Sequence, residues 1–234
     1  MNGIILDLCG GSGSWSKPYR EAGYAVINCT LPEIDICETA FYDDYMVLQN
    51  TDTRYTPFIR YRDVIGILAA PPCTEFSIAK STAPRDFVKG MKVVRACLDV
   101  VWHCQCFGNL QFWALENPRG LLKRFLGQYA FVFEQWQFGG TLEKPTCLWG
   151  VFNPPIPTVK EKPHIEKFRN KIDNQNLNSR EYASPKCPPE YADYVGQFKG
   201  YQERRAAIRA ITPEGFAKAF YKANKPKGGS ANGT

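Results

Sequence analysis

Short apolar runs that stop in a polar or glycine-rich cluster recur through the first half of the chain, and nothing else in it limits the fold so strongly. The run Ile4–Leu8 carries an acid near its end and passes into glycines, which reads as a buried parallel strand entering a glycine-rich turn. Ser14 or Ser16 can cap the helix that follows, Pro18 lies in its first turn, and Gly23 ends it before a second strand over 24–28. Residues 63–70 form a further strand that runs into Pro71-Pro72-Cys73 and a polar loop, and a helix follows from about 86 to 106. Another apolar strand, 110–117, also ends in polar residues and leads to a helix over 120–127. Strands alternating with helices predict an open α/β sheet, in which ligands gather at the carboxyl ends of the strands. Each polar cluster lies at such an end.

The length of 234 residues suits one domain, or one domain plus a small lobe, and excludes a repeat array or a small disulfide-stapled fold. With 44% hydrophobic and 22% charged residues, wholesale disorder is excluded too. No uncharged apolar run approaches the roughly 18 residues of a membrane span, and the N-terminus turns polar too soon, without a basic leader, for a secretory signal. Nine cysteines, odd in number and irregularly spaced, suit a reducing compartment. A cytoplasmic site of action is expected. His103, Cys104 and Cys106 lie close together, but there are only two histidines and no Cys-x-x-Cys, so no metal is expected. His103 reads as a helix-surface or core residue, and Cys97 and Cys187 as structural.

Charge divides the chain. Residues 1–159 hold 14 Lys/Arg against 15 Asp/Glu, whereas residues 160–234 hold 15 against 8. A basic segment on a neutral body suggests a polyanion footprint. Composition also changes: 151–203 is proline-broken, polar and basic, with Tyr182, Tyr191, Tyr194 and Phe198 interspersed. Helical spacing returns over 204–224, where Pro213 opens a helix presenting Phe216, Ala219, Phe220 and Ala223 on one face, and 225–234 reads as a flexible tail.

Three clusters carry chemistry. Gly10, Gly11 and Gly13, with Ser12 and Ser14, let backbone approach a ligand closely. The third glycine of the dinucleotide fingerprint is missing and no Gly-Lys-Ser/Thr follows, which leaves a nucleoside-type ligand without phosphates. Pro71 and Pro72 stiffen the chain before Cys73 and fix the direction of its thiol; a nucleophilic role needs a local field that favours thiolate. Glu116-Asn117-Pro118 closes the neighbouring strand, where a carboxyl group can hydrogen-bond a heterocycle while the thiol attacks it.

In order and context these clusters resemble the cytosine-C5 DNA methyltransferases, especially their short phage-type members. Asp7-Leu8-Cys9-Gly10-Gly11-Ser12-Gly13-Ser14 is similar to the family's cofactor motif Asp-Leu-Phe-Ala-Gly-x-Gly-Gly. Pro71-Pro72-Cys73 with Phe76-Ser77 matches the nucleophile motif Pro-Pro-Cys-x-x-Phe-Ser, and Glu116-Asn117 matches Glu-Asn. The segment 144–150 resembles the strand that normally carries Arg-x-Arg, with Lys144 and Thr146 in place of the arginines. The resemblance covers about residues 1–150 and, less specifically, 204–224.

The resemblance implies a Rossmann-like, S-adenosyl-L-methionine-dependent methyltransferase fold with a small irregular target-recognition lobe. Residues 1–150 would form the catalytic and cofactor-binding domain, 151–203 the recognition region, and 204–224 a C-terminal helix returning to the catalytic domain. The implied activity is DNA methylation giving 5-methylcytosine at a short site of about two to four base pairs, by base flipping and covalent catalysis. Cys73 would attack C6, Glu116 would hold N3 and N4, and Lys144 and Thr146 would stand for the pair of which one contacts O2. Asp7, Leu8, Cys9, Gly11, Gly13, Asn28, Asp35, Ile36 and Pro72 are the implied cofactor residues; Asn28 stands where the family usually has an acid for the ribose hydroxyls. Ser77, Lys80, Arg85 and Lys89 would lie on a mobile loop that closes over the flipped base. The implied setting is a monomer acting on double-stranded DNA without metal or membrane, phage or prophage encoded, in a bacterial host with restriction–modification systems. RNA or free deoxycytidylate are the runner-up substrates within the same chemistry. A non-catalytic nucleic-acid-binding protein that keeps the fold is the rival class: Asn28, Lys144 and Thr146 favour it, Cys73 and Glu116 weigh against it.

Overall fold

The computed structural model describes residues 3–49, 57–78, 80, 83–140, 144–162, 167–169, 176–178 and 186–227. Within them the run Ile4–Leu8 is strand β1, and Ile5 to Leu8 are all buried. It pairs in parallel with β2 (Ala25–Cys29) on one side. A small antiparallel sheet of β3 (Ala40–Phe41), β4 (Tyr45–Val47) and β5 (Phe58–Arg60) intervenes before β6 (Val64–Ala69), which pairs in parallel with the other side of β1. Strand β7 (Phe112–Pro118) extends the parallel set beside β6. Then β8 (Phe131–Phe133) and β9 (Thr146–Val151) complete a mixed sheet in the order β2-β1-β6-β7-β9-β8, with β9 antiparallel to both its neighbours. An antiparallel pair, β10 (Lys167–Arg169) and β11 (Asn176–Asn178), lies in the basic third.

The period-two alternation of the central strands sends side chains to opposite faces, and each face is covered. On one face Leu6, Leu8, Ile67, Ala69 and Leu115 meet α2 (Phe87–Phe107) through Val94, Cys97, Val100, Val101 and Cys104. Asp86 starts α2 close to the expected position, because its Oδ1 accepts from Lys89 N at 2.9 Å. On the other face Ile5, Leu68, Ala114 and Leu148 pack with Trp15 and Tyr19, around α1 (Lys17–Glu21), and with two C-terminal phenylalanines.

Several expectations need correction. Ser16 precedes α1, but its hydroxyl caps nothing: it donates to Asp7 Oδ2 at 2.5 Å. The helix expected over 120–127 is a single turn, α3 (Lys123–Leu126), because Gly127 adopts φ +77°. A short α4 (Ala192–Gly196) and then α5 (Tyr201–Ala210) and α6 (Glu214–Ala223) follow, so the expected helix over 204–224 is broken by an elbow at 211–213, where Pro213 opens α6. The buried stripe of α6 is Phe216, Ala217 and Phe220, with Ala219 and Ala223 only half-buried. The start of the expected tail is docked: Lys227 N donates to Gln111 Oε1 at 2.9 Å and Pro226 is buried. Residues 228–234 and Tyr182 lie outside the described residues.

The C-terminal helix is sewn to the sheet by Asn224. Its Nδ2 donates to the Asn153 and Phe220 carbonyls (2.9 and 3.1 Å), its Oδ1 accepts from Asn153 N (2.7 Å), and the side chain is buried. At about 1 kcal/mol net for each such bond, Asn224→Ala should lower the unfolding free energy by about 2–3 kcal/mol in urea titration. A loss below about 0.5 kcal/mol would contradict this role.

Candidate active site

Strand β1 lies between β2 and β6, and the chain winds outward in opposite senses from the β1–β6 pair: to β2 on one side, to β7 on the other. This is a topological switch point, where an open α/β sheet leaves a crevice beyond the carboxyl ends of its strands. The glycine turn after β1 and the Pro-Pro-Cys segment after β6 both start there, linked by Ala70 N donating to the Leu8 carbonyl at 2.9 Å.

The glycine turn holds three left-handed residues among five: Cys9 (φ +56°), Gly11 (+53°) and Gly13 (+68°). For a cysteine this conformation is unusual, and it is held by Cys9 N donating to the Cys29 carbonyl at 2.7 Å. Asn28 Nδ2 donates to the Gly11 carbonyl at 2.9 Å, so Asn28 secures the turn. Beneath it Asp7 is fully buried, and neither its Oδ1 nor Asn28 Oδ1 has a hydrogen-bond partner among the described residues. Both oxygens crowd Gly10, where a β-carbon would overlap them. Burial raises the Asp7 carboxyl to about 6, against the opposing pull of Ser16 and Arg20. Asp7 and Leu8, expected to serve the cofactor, thus back the turn from the core. Cys9 is half-buried, with its Sγ 3.9 Å from that of Cys97. Asp35 accepts from Cys37 N at 2.9 Å and starts the 3-10 turn Ile36–Glu38, in which Ile36 is buried, while Pro72 is exposed.

Two tyrosines of the expected recognition region, Tyr191 and Tyr194, lie beside this turn. The Tyr194 hydroxyl stands over Gly11, and a cavity of about 380 Å³ opens between Ser12, Lys17 and Arg20 on one wall and Tyr191 and Tyr194 on the other. No spacing in the sequence points to this contact. Ser14 is likewise turned away from any ligand: its Oγ accepts from Thr212 N at 2.8 Å and pins the elbow between α5 and α6.

At the ends of β6 and β7 the second cluster assembles. Cys73 begins a tight turn in which its carbonyl accepts from Phe76 N and Ser77 N (2.9 and 2.8 Å), with Phe76 buried as the anchor. Asn117 Nδ2 donates to the Pro71 carbonyl at 3.0 Å and fixes Pro-Pro-Cys against β7. Glu116 lies opposite Leu148 in the β7–β9 register, and Lys144 precedes β9 at the same end. Burial pushes the Cys73 thiol up, as does Glu116, while Lys144 and Arg209 pull it down. Burial also raises Glu116, opposed by Lys144. Thus Cys73, Glu116 and Lys144 converge, and they are joined by Arg209, which the sequence does not single out. Thr146, expected to offer a hydroxyl donor, is 2% exposed and donates to the Lys144 carbonyl at 3.1 Å.

The loop after Cys73 is organised by Glu75, another residue that the sequence reading misses. Lys80 Nζ lies 2.6 Å from its Oε2, Asp86 N donates to the same oxygen at 2.8 Å, and Arg85 Nη1 donates to its carbonyl at 2.9 Å. Lys80 and Arg85 are drawn inward, and Lys89 is exposed. Hydrogen bonding to Lys80 holds the Glu75 carboxyl below its ordinary value.

No family model and no curated protein matches this chain. Among the described residues no group of three or more His, Cys, Asp or Glu is placed to hold a metal ion, and no helix is long and apolar enough to cross a membrane. His103 stacks on Phe41 (centroids 4.1 Å apart), with Nδ1 2.8 Å from the Asp99 carbonyl.

Asp7 gives a stability test with a defined sign. Its value is about 6 in the folded protein against an ordinary 3.8, so between these the folded state holds a proton that the unfolded state has released. The stability it contributes is complete below about pH 4 and is lost as pH rises through about 6, to the extent of roughly 2–3 kcal/mol. Asp7→Asn should therefore gain about that much relative to the unsubstituted protein between pH 4 and pH 7 in urea titrations. Parallel stability curves would refute the assignment.

Proposed function

We propose that this chain is an S-adenosyl-L-methionine-dependent methyltransferase acting on carbon 5 of cytosine in DNA. The observation that carries the reading is the convergence of Cys73, Glu116 and Lys144 at one end of β6, β7 and β9, beside a glycine turn across the switch point. A thiol, a carboxyl group that is easily protonated and a cation are what addition to a pyrimidine requires.

Cytosine C5 is a poor nucleophile, and addition of a thiolate to C6 makes it enamine-like. Cys73 Sγ would form the bond to C6 while Glu116, raised by burial, delivers and holds a proton at N3. Lys144 would face O2 as a point charge without the bidentate fork of arginine. When a base or water takes the C5 proton, the C–H electron pair would re-form the C5–C6 double bond, the Cys73–C6 bond would break with the thiolate leaving, and N3 would return its proton to Glu116. The cofactor supplies the methyl group. For it the glycine turn offers left-handed backbone that a ligand can approach, held from beneath by Asp7 and Asn28. Cys9, Gly11, Gly13, Asp35, Ile36 and Pro72 would complete the cradle. The basic residues of 160–234 would grip phosphates, and the target base would leave the stack to reach Cys73. Release of Lys80 and Arg85 from Glu75 would free them for the nucleic acid.

Thr146, turned inward, favours the rival reading of a binding protein without turnover. Trapping separates the two. Duplex DNA containing 5-fluorocytosine, incubated with protein and cofactor, should give a covalent adduct that vanishes in Cys73→Ala and forms on the order of 100-fold more slowly in Glu116→Gln. An adduct that survives Cys73→Ala would overturn the nucleophile. No adduct on DNA, RNA or deoxycytidylate, with cofactor binding intact by calorimetry, would overturn the enzyme reading; adducts on RNA or deoxycytidylate alone would overturn DNA as the substrate.

A further inference from the structure

We propose that Cys9 and Cys97 form a redox-sensitive dithiol site, which a peroxide closes into a disulfide that pins the glycine turn to α2. The bridge is independent of the methyltransferase reading; its effect on the cofactor rests on that reading.

The two cysteines are 88 residues apart in the chain, yet their Sγ atoms lie 3.9 Å from each other where β1 runs into the glycine turn. All nine cysteines are free thiols. Among reduced thiols of this kind, a disulfide that forms transiently is a redox sensor or a catalyst. The two partners are unequally placed. Cys97 is fully buried within the 21-residue α2, in the core cluster that also holds Val94, Val100 and Val101. Cys9 is half-buried, in the turn that borders the crevice. An oxidant from solvent therefore meets Cys9 first, and Cys97 stands behind it as the resolving thiol.

The step balances. The Cys9 sulfur, as thiolate, attacks hydrogen peroxide: an S–O bond forms, the O–O bond breaks, and the hydroxide released takes up the proton that Cys9 gave up. The Cys97 sulfur then attacks the sulfenic acid sulfur of Cys9; the S–S bond forms, the S–O bond breaks, and the departing oxygen leaves as water with the Cys97 proton. Two thiols and one peroxide thus give one disulfide and two waters. A disulfide is about 2.05 Å long, so the sulfurs must approach by roughly 2 Å. Cys97 is fixed by its helix and the core, which leaves the turn to supply the movement. Cys9 has a left-handed backbone (φ +56°), unusual for a cysteine, with its N–H held on the Cys29 carbonyl at 2.7 Å. A pull on this residue passes straight along the chain to Gly10 and Gly11, the backbone that a cofactor would approach.

Peptide mapping of the unsubstituted protein tests the bridge without ligand or turnover. After hydrogen peroxide, the remaining thiols are blocked with N-ethylmaleimide, and a tryptic digest made without reductant is read by mass spectrometry. The Cys9 peptide holds no other cysteine, whereas the Cys97 peptide also holds Cys104 and Cys106, so fragmentation locates the bridge. The expected product joins Cys9 to Cys97, lacks the two thiol hydrogens and reverts with dithiothreitol. In Cys97→Ala, Cys9 should instead run on to the sulfinic acid, which dithiothreitol does not reverse. In the bridged protein, amide exchange over residues 9–13 should slow by about tenfold. S-adenosyl-L-methionine should bind it about tenfold more weakly in calorimetry, with recovery on reduction. No Cys9–Cys97 bridge at peroxide concentrations that oxidise the exposed Cys106 would overturn the proposal, as would a bridge from Cys9 to Cys29 or Cys37 instead. Unchanged exchange and affinity in the bridged protein would overturn the pinning of the turn. If the reduced protein binds no cofactor, the methyltransferase reading falls, and the peptide map and the exchange rates still decide the dithiol site.

Discussion

One hydrogen bond sets the geometry on which the chemistry depends. Asn117 at the end of β7 donates to the Pro71 carbonyl at the end of β6 at 3.0 Å, within a fully buried side chain. The anchored carbonyl belongs to the first of two stiff prolines, Pro72 leads from it to Cys73, and the turn held by Phe76 N and Ser77 N closes behind the cysteine. The thiol is therefore referred to the same strand that carries Glu116. Without this bond the Cys73 loop would lose its tie to β7, the strand that carries Glu116, and a displacement of about 1 Å between groups that are to react together costs on the order of 100-fold in rate.

Burial acts on the two groups in ways that favour and oppose the proposed chemistry. It raises Glu116, which would suit the proposed proton donor, and it raises Cys73, which would not suit the proposed nucleophile. Lys144 and, more weakly, Arg209 oppose the second effect without reversing it, and both come from segments outside the β6–β7 pair. The glycine turn repeats the pattern: Asp7 is kept in the core under an unusual backbone, and the turn is secured by Asn28 and by Ser14 on the elbow. The glycine turn and the thiol corner are thus tied to neighbouring points of one segment, Thr212 in the elbow and the Arg209 carbonyl in the last turn of α5.

Much of this was legible in the sequence. Strands β1, β6 and β7 and helix α2 were readable because short apolar runs bounded by glycine, proline or Asp86 leave few alternatives. The carboxyl-end clusters followed from the same pattern, and Cys73, Glu116 and Lys144 do meet. What stayed hidden depends on partners remote in the chain: Lys144 with Arg209, 65 residues apart, and Ser14 with Thr212, 198 apart. Residue type gives a donor but not its acceptor. For this reason Thr146 reads as a substrate contact although it turns inward, and neither the hold of Glu75 on Lys80 and Arg85 nor the position of Tyr194 over Gly11 is visible in the sequence. The antiparallel direction of β9 was equally silent, since an apolar strand carries no sign of its polarity.

The central claim is that the two clusters across the β1–β6 switch point act together to move a methyl group onto a cytosine ring. Incubation of the protein with duplex DNA and S-adenosyl-L-methionine labelled in its methyl group, followed by digestion to nucleosides, tests it most directly. The account predicts label in 5-methyldeoxycytidine alone. Label on a ring nitrogen or an exocyclic amine, or unlabelled nucleosides from a protein that binds both cofactor and DNA, would contradict it.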